Sequence, residues 1–584
     1  MEDLIFKAEQ GDAEAQFALG EYYYRAAEDG VQDYEQAVYW YRKAAEQGHA
    51  SAQARLGYFY YTGWGVPRDY DLSASWYRKA AEQGDADAQY TLGYYYVEGY
   101  GVPDDEEQAN YWYLKAAEQG HVEAQVDLGK NYYRGDGVPE DYSQAAYWYR
   151  KAAEQDHDYA KYYLAEMYYY GEDGVPQDYE QAVYWYSKVD EMGAMYYLYD
   201  MDLLSYNLGR CYYWGLGVSQ DYEQAVYWFC KAAEGGKKYA QFALGRCYYK
   251  GEGVPMDKQE AVQWYRKAAE QGYADAQFAL ARCYYKGEGV PMDKQEAVHW
   301  FRKAAEQGDA DAQHTLGDCY FESEESILGD NEQAVYWYRK AAEQGHTGAQ
   351  LSLGFCYYAG WGVPQDYALS ASWYRKAAEQ DHDYAKYNLA ELYYYGGKGV
   401  PQDYEQAVYW YSKVDEVDDM DYSCDMEMLA YNLGRCYYWG LGVAQDYEQA
   451  VHWFRKAAEQ NDADAQFALG RCYYKGEGVP EDKQEAVYWY RESAEQGNAS
   501  AQFVLGLHYD YEAESENQDY EQAIYWHRKA AEQGNTCAQY NLGYYYQEGY
   551  GVSQDLEQAI YWYSKSAEQG NTCAQEALER LQSK

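Results

Sequence analysis

Proline and positive charge are both scarce in this chain. Its 584 residues hold nine Pro, and 48 Lys and Arg stand against 98 Asp and Glu, for a formal net charge of -50. So acidic a protein lacks the basic patches that release counterions from DNA, RNA or anionic membrane surfaces, which sets nucleic acid aside as a partner. Long apolar runs are missing too: none approaches the roughly 20 residues needed to cross a bilayer, so no membrane insertion is expected. The opening Met1-Glu-Asp-Leu-Ile-Phe-Lys lacks the basic start, apolar core and small-residue cleavage site of a secretory signal. A cytoplasmic protein is the expectation, with signal-less export left open. Neither Cys-x-x-Cys nor His-Glu-x-x-His occurs, so no metal is expected. The recurrent Gly-x-Gly-Val-Pro lacks the third glycine or the Gly-Lys-Ser/Thr ending of a phosphate loop, and it reads as a turn. No nucleophile, acid/base pair or cofactor motif appears; the expectation is no enzyme, no catalytic residue and no cofactor.

What is abundant is aromatic: 82 Tyr and 19 Trp, within a hydrophobic fraction of 48% that argues against disorder. These residues are periodic. An Ala-x-x-x-Leu-Gly core recurs from Leu19 and Leu56 to Leu505 and Leu542; Leu92 to Leu128 and Leu244 to Leu280 are steps of 36 residues, the commonest spacing. Ala240, Leu244, Gly245 and Tyr248 fall on one face of a helix, here called helix A. Glycine and proline then break it at Gly251-Glu-Gly253-Val254-Pro255, and every proline of the chain lies in this phase of the repeat. Helix B restarts at an acidic cap such as Asp221, three residues before Gln224, and carries Ala225, Trp228, Ala232 and Ala233 on its apolar face. Fifteen of the 19 Trp occupy that helix B slot, where a large ring is expected to fit the small Ala and Gly of a neighbouring helix. Seven cysteines (Cys211, Cys247, Cys283, Cys319, Cys356, Cys436, Cys472) share one helix A slot; stacked helices lie too far apart for disulfides, so buried thiols are expected.

From Ala274 to Gly308, with only Ala281 and Phe301 departing, the chain resembles the Sel-1-like repeat, a relative of the tetratricopeptide repeat. The resemblance implies an all-α fold, an α/α solenoid wound as a right-handed superhelix of about fifteen two-helix repeats. It also implies a non-catalytic scaffold or adaptor that binds proteins along a concave groove, bacterial by family habit. A cysteine-rich subset has been linked to β-lactam binding, but its paired cysteines are matched here only by Cys211 and Cys230. An exported host-interaction or carbohydrate-binding protein using exposed tyrosines is the alternative reading.

The expected organisation is an N-terminal half-helix cap (1–12), repeats 1–5 (13–188), an extended joint (189–205), repeats 6–11 (206–413), a second joint (414–430), repeats 12–15 (431–570) and a C-terminal capping helix (571–584). Caps at both ends lead to the expectation of a complete protein. Leu164 to Leu389 and Leu208 to Leu433 both span 225 residues, the mark of a duplicated block. Asp415-Glu-Val-Asp-Asp-Met-Asp lacks the glycine and glutamate of a calcium loop. Asp156-His157-Asp158 and its copy Asp381-His382-Asp383 are expected to cap helices. The turn is replaced in repeats nine and fourteen, by Glu322-Ser-Glu-Glu-Ser-Ile and Glu512-Ala-Glu-Ser-Glu, which read as surface loops.

With Leu facing the core, the angle of about 100° per residue puts the positions two before it, two after and five after on the opposite side of helix A. These positions form ladders: Phe242, Phe278 and Phe467; Arg210, Arg246, Arg282, Arg435 and Arg471; Tyr213, Tyr249, Tyr285, Tyr438 and Tyr474. Two readings stand. The arginines balance neighbouring carboxylates, or the groove of a monomer grips protein or peptide partners with acidic or phosphorylated segments.

Overall fold

The computed structural model describes residues 2–26, 33–190, 200–321, 329–414, 426–512 and 519–582. The calcium-loop reading at Asp415 to Asp421, the replaced turn of repeat nine, most of that of repeat fourteen and much of both joints lie outside these residues. The described chain is all-α, with 32 α-helices and one π-helical turn; among the described residues there are two isolated bridges and no strand. It divides into two compact units, residues 1–300 and 301–584, each a stack of antiparallel helical hairpins and hence an α/α solenoid.

The hairpin at 238–270 shows how the local sequence sets the elements. Helix A runs Lys238–Lys250 and stops at Gly251, whose φ of 76° is left-handed and whose N–H bonds to the Cys247 carbonyl. Gly253 also has positive φ, and a Cβ there would lie 2.1 Å from the Tyr222 carbonyl oxygen. Only glycine lets this turn rest on the preceding helix B. Helix B, Lys258–Glu270, begins where the Asp257 carboxylate accepts the N–H groups of Gln259 and Glu260 at 2.9 and 3.0 Å.

The leucine and alanine columns form the core: Leu56, Leu92 and Leu244 are fully buried. The ring that fills the glycine hole is not the expected Trp but the residue after it. A Cβ on Gly57 would lie 2.9 Å from the Tyr77 ring, and one on Gly245 2.7 Å from that of Tyr265. Trp148 packs beside this contact, on Ala116, Ala117, Ala124 and Leu128.

Polar columns lock the repeats together. Gln53 donates to the Ala45 carbonyl at 3.0 Å and accepts from Gln83 at 2.6 Å, and the same pair recurs at Gln89 and Gln119. Helix B arginines reach the next helix A, as Arg42 does to the Tyr60 hydroxyl and Arg339 to that of Tyr357. In repeats 5 and 11 a buried lysine replaces the glutamine. Lys161 Nζ donates to Asp156, Asp158 and the Lys188 carbonyl at 2.5, 2.8 and 3.0 Å, and Lys386 to Asp381 and Asp383. The Asp-His-Asp corners therefore do more than cap: His157 Nδ1 accepts the Ala160 N–H, His382 makes no side-chain cap, and the flanking aspartates hold an ammonium group.

Near the joints, helix B is cut to eight residues, Tyr179–Tyr186 and Tyr404–Tyr411. The following helices start at Met201 and Met426, inside the stretches expected as joints; Asp200 starts the first by accepting the Leu203 N–H at 2.9 Å. Helices Glu2–Glu9 and Thr572–Gln582 pack on the outermost hairpins through Ala8 and Ala574.

Candidate functional site

The ladder positions do not stand free on the far side of helix A. Tyr213 and Tyr438 are buried and the three phenylalanines half-buried, because the next hairpin folds over this face. Reading helix A as an isolated cylinder misses that neighbour. The Tyr213, Tyr249 and Tyr438 hydroxyls donate to Glu252, Glu288 and Glu477 of the following turn. Burial, helped by these acceptors, pushes the Tyr213 and Tyr438 phenols up to about 12. Tyr285 and Tyr474 lie under Lys294 and Lys483, at 5.8 and 5.7 Å.

The arginines of the ladder stack on rings. Arg246 Cζ lies 5.5 Å from the Tyr213 ring and 6.0 Å from that of Trp214, and its Nη2 donates to the Tyr213 hydroxyl at 3.2 Å. Arg471 repeats this in the duplicated block, 4.8 Å from Tyr438 and 5.5 Å from Trp439. Arg210 lies over Tyr169 and Tyr206, Arg435 over Tyr394 and Tyr431, and Arg282, exposed, over Phe278. Among the described residues none of these five has a carboxylate within 4.0 Å, whereas Arg55 pairs with Glu21 at 2.9 Å. The charge-balance reading thus lacks its ion pairs there.

Two clefts collect the ladder residues, one in each unit. The first, of about 330 Å³, lies between repeats 6 and 8 and is lined by Arg210, Tyr213, Trp214, Phe242, Arg246 and Tyr273, among others. The second, of about 380 Å³, includes Phe467, Arg471, Tyr474, Val487, Val504 and Leu507. The structure does not place Arg282, Arg435, Phe278, Tyr249, Tyr285 or Tyr438 on either wall. Sequence reasoning passed over Trp214 and Trp439, which are 56% and 57% exposed. A signal existed: they are two of the four Trp outside the helix B slot.

The seven column cysteines are buried, and burial pushes Cys247, Cys356 and Cys472 up to about 12, away from nucleophilic chemistry. Among the described residues no group of three or more His, Cys, Asp or Glu could hold a metal ion, and no helix is long and apolar enough to cross a membrane.

The Sel1 repeat model matches fifteen segments: five consecutive units over 13–188, six over 205–413, and four over 429–535 and 538–571. No curated protein sequence matches the chain. Among solved structures it is similar to c5321, a protective antigen present in uropathogenic Escherichia coli strains, at 32% identity over 94% of this chain and 97% of that one, with a TM-score of 0.33. A Sel1 repeat protein from Oxalobacter formigenes is 36% identical over 55% of this chain and 90% of its own, with a TM-score of 0.35. With its repeats matched along nearly its whole length, the chain belongs to the Sel1 repeat family.

Proposed function

We propose that the chain is a non-catalytic scaffold that holds partner proteins through its two arginine-aromatic clefts, with Arg210, Arg246 and Arg471 receiving acidic or phosphorylated segments. Sel1 repeat proteins generally mediate protein-protein interaction and are typically non-catalytic, and that supports the class of function. The carrying observation is local: in a chain of net charge -50, guanidinium groups are pinned on tyrosine and tryptophan faces with no carboxylate partner among the described residues. A stacked guanidinium keeps its N–H edge for an incoming anion, and Arg, Tyr and Trp are the residue types that dominate interface energetics. Arg282, which is exposed, and Arg435 stand outside the two clefts, on the same helix A ladder. The location that goes with this reading is the cytoplasm.

Charge reversal tests it. Arg246→Glu with Arg282→Glu in the first unit, and Arg471→Glu in the second, should weaken partners recovered from the native cell. Each lost charge-assisted bond is worth roughly 2 kcal/mol, or about thirtyfold in affinity. Partners that bind both variants as tightly as the parent, with melting unchanged, rule the clefts out.

A second reading, carbohydrate binding, draws on the tyrosine that precedes ten of the fifteen helix B Trp: Tyr39, Tyr111, Tyr184 and Tyr409 are each about half exposed and stand edge-on to that Trp. Glycan arrays would decide it, since the scaffold reading expects no glycan to be retained.

A further inference from the structure

The duplicated block lets the molecule serve as its own comparison. At the 225-residue spacing, Ala279, Arg282 and Cys283 of repeat 8 correspond to Val504, Leu507 and His508 of repeat 14. The first copy keeps a regular 13-residue helix, Ala274–Lys286. The second has a nine-residue helix, Ala499–Leu507, that continues as a π-helical turn, His508–Glu512. Such turns widen a helix locally and concentrate at functional sites.

The two copies differ in what they expose. Val262 is fully buried, but its counterpart Val487 is only half-buried and forms part of the wall of the second cleft. Phe467, Val504 and Leu507 complete an apolar wall. Arg471 is the one arginine among the cleft's lining residues, and its buried Nε has no hydrogen-bond partner. The first cleft is of another kind, with two arginines and the rings of Tyr206, Tyr239 and Tyr273. A volume of about 380 Å³ falls at the small end of ligand pockets, enough for one large side chain.

We propose that the cleft of repeats 13 and 14 is an anchor pocket that takes a single large apolar side chain, of the Leu or Phe class, from an acidic partner segment. A carboxylate next to that side chain on the partner pairs with Arg471. The apolar wall calls for an apolar group, and a guanidinium with no carboxylate within 4.0 Å among the described residues calls for one adjacent negative charge. This deepens the reading of the clefts as peptide-binding and rests on it.

The test uses the full chain at physiological salt and two fluorescent acidic peptides that differ only at the centre, Leu-Phe in one and Ser-Ser in the other. Burying one such side chain should make the Leu-Phe peptide bind at least about tenfold tighter. Val504→Trp, which fills the cavity, and Leu507→Glu, which charges its wall, should each abolish that preference. Hydrogen exchange on the parent provides a readout that needs no variant: Ala499–Leu507 should be protected by the Leu-Phe peptide and not by the other. Equal binding of both peptides, a preference that survives Val504→Trp, or no protection of that helix overturns the anchor pocket and leaves the peptide-binding reading standing. If neither peptide binds, both fall.

Discussion

His527 should make the second unit acid-sensitive in a way that one substitution removes. It occupies the helix B slot after Trp526, where other repeats carry Tyr or Phe, and it is fully buried. Its ring lies against Gly506, where a Cβ would come within 2.7 Å, and against Phe503 and Tyr545. Nδ1 has no hydrogen-bond partner, and Nε2 lies 3.4 Å from the Asn541 amide nitrogen. Burial disfavours the imidazolium and lowers the pKa from 6.5 to about 4. In the unfolded chain the group titrates near its ordinary value. Between those two pH values the unfolded state therefore binds more protons, and stability falls as pH falls. The full loss, reached below the folded pKa, is about 3 kcal/mol, and at pH 5 it is about 2 kcal/mol. His527→Phe removes the titrating group without opening a hole, since Phe229 and Phe454 already lie against Gly209 and Gly434 in the same way. Other acidic groups titrate alike in both proteins and cancel in the difference. Urea unfolding, together with hydrogen exchange across Tyr520–Glu532, should show the variant gaining about 2 kcal/mol on the parent between pH 7 and pH 5. A difference that does not change with pH would refute the reasoning.

Two further outcomes follow from the core. Lys161→Met strands the Lys188 carbonyl and the half-shielded Asp158, and should cost about 2 kcal/mol in urea melts; Lys161→Gln restores the residue found in most of the other repeats and should cost less than about 1 kcal/mol, so equal costs would sink the account of this column. In the native protein Cys537 and Cys573, both exposed, should be alkylated first, while Cys247 and Cys472, with thiols pushed up to about 12, wait for unfolding. Mapping by mass spectrometry that finds Cys247 as fast as Cys537 would contradict their burial.

The clefts were partly visible before the fold. Helical angles alone placed Phe242, Arg246 and Arg210 on one side, and the structure gathers them on one wall; it does the same for Phe467, Arg471 and Tyr474. Invisible in the pattern was the choice of arginine partner, since carboxylates and aromatic rings are equally near in sequence and only the stacking of consecutive hairpins brings Tyr213 and Trp214 under Arg246. The cavity beside Leu507 was equally hidden: its sequence mark is a handful of substitutions whose effect depends on how three helices meet.

By itself the amino-acid order determined the family, the two-helix period, the turns and the caps, because each follows from groups within one hairpin: a proline that cannot continue a helix, an aspartate three residues from the N–H it accepts, a leucine every 36 residues. Tertiary structure alone decided which ring fills each glycine hole, that Tyr213 and Tyr438 are covered, and that buried Lys161 and Lys386 sit between aspartates. Those outcomes depend on distances between neighbouring hairpins, and the spacing of residues along one chain does not contain them.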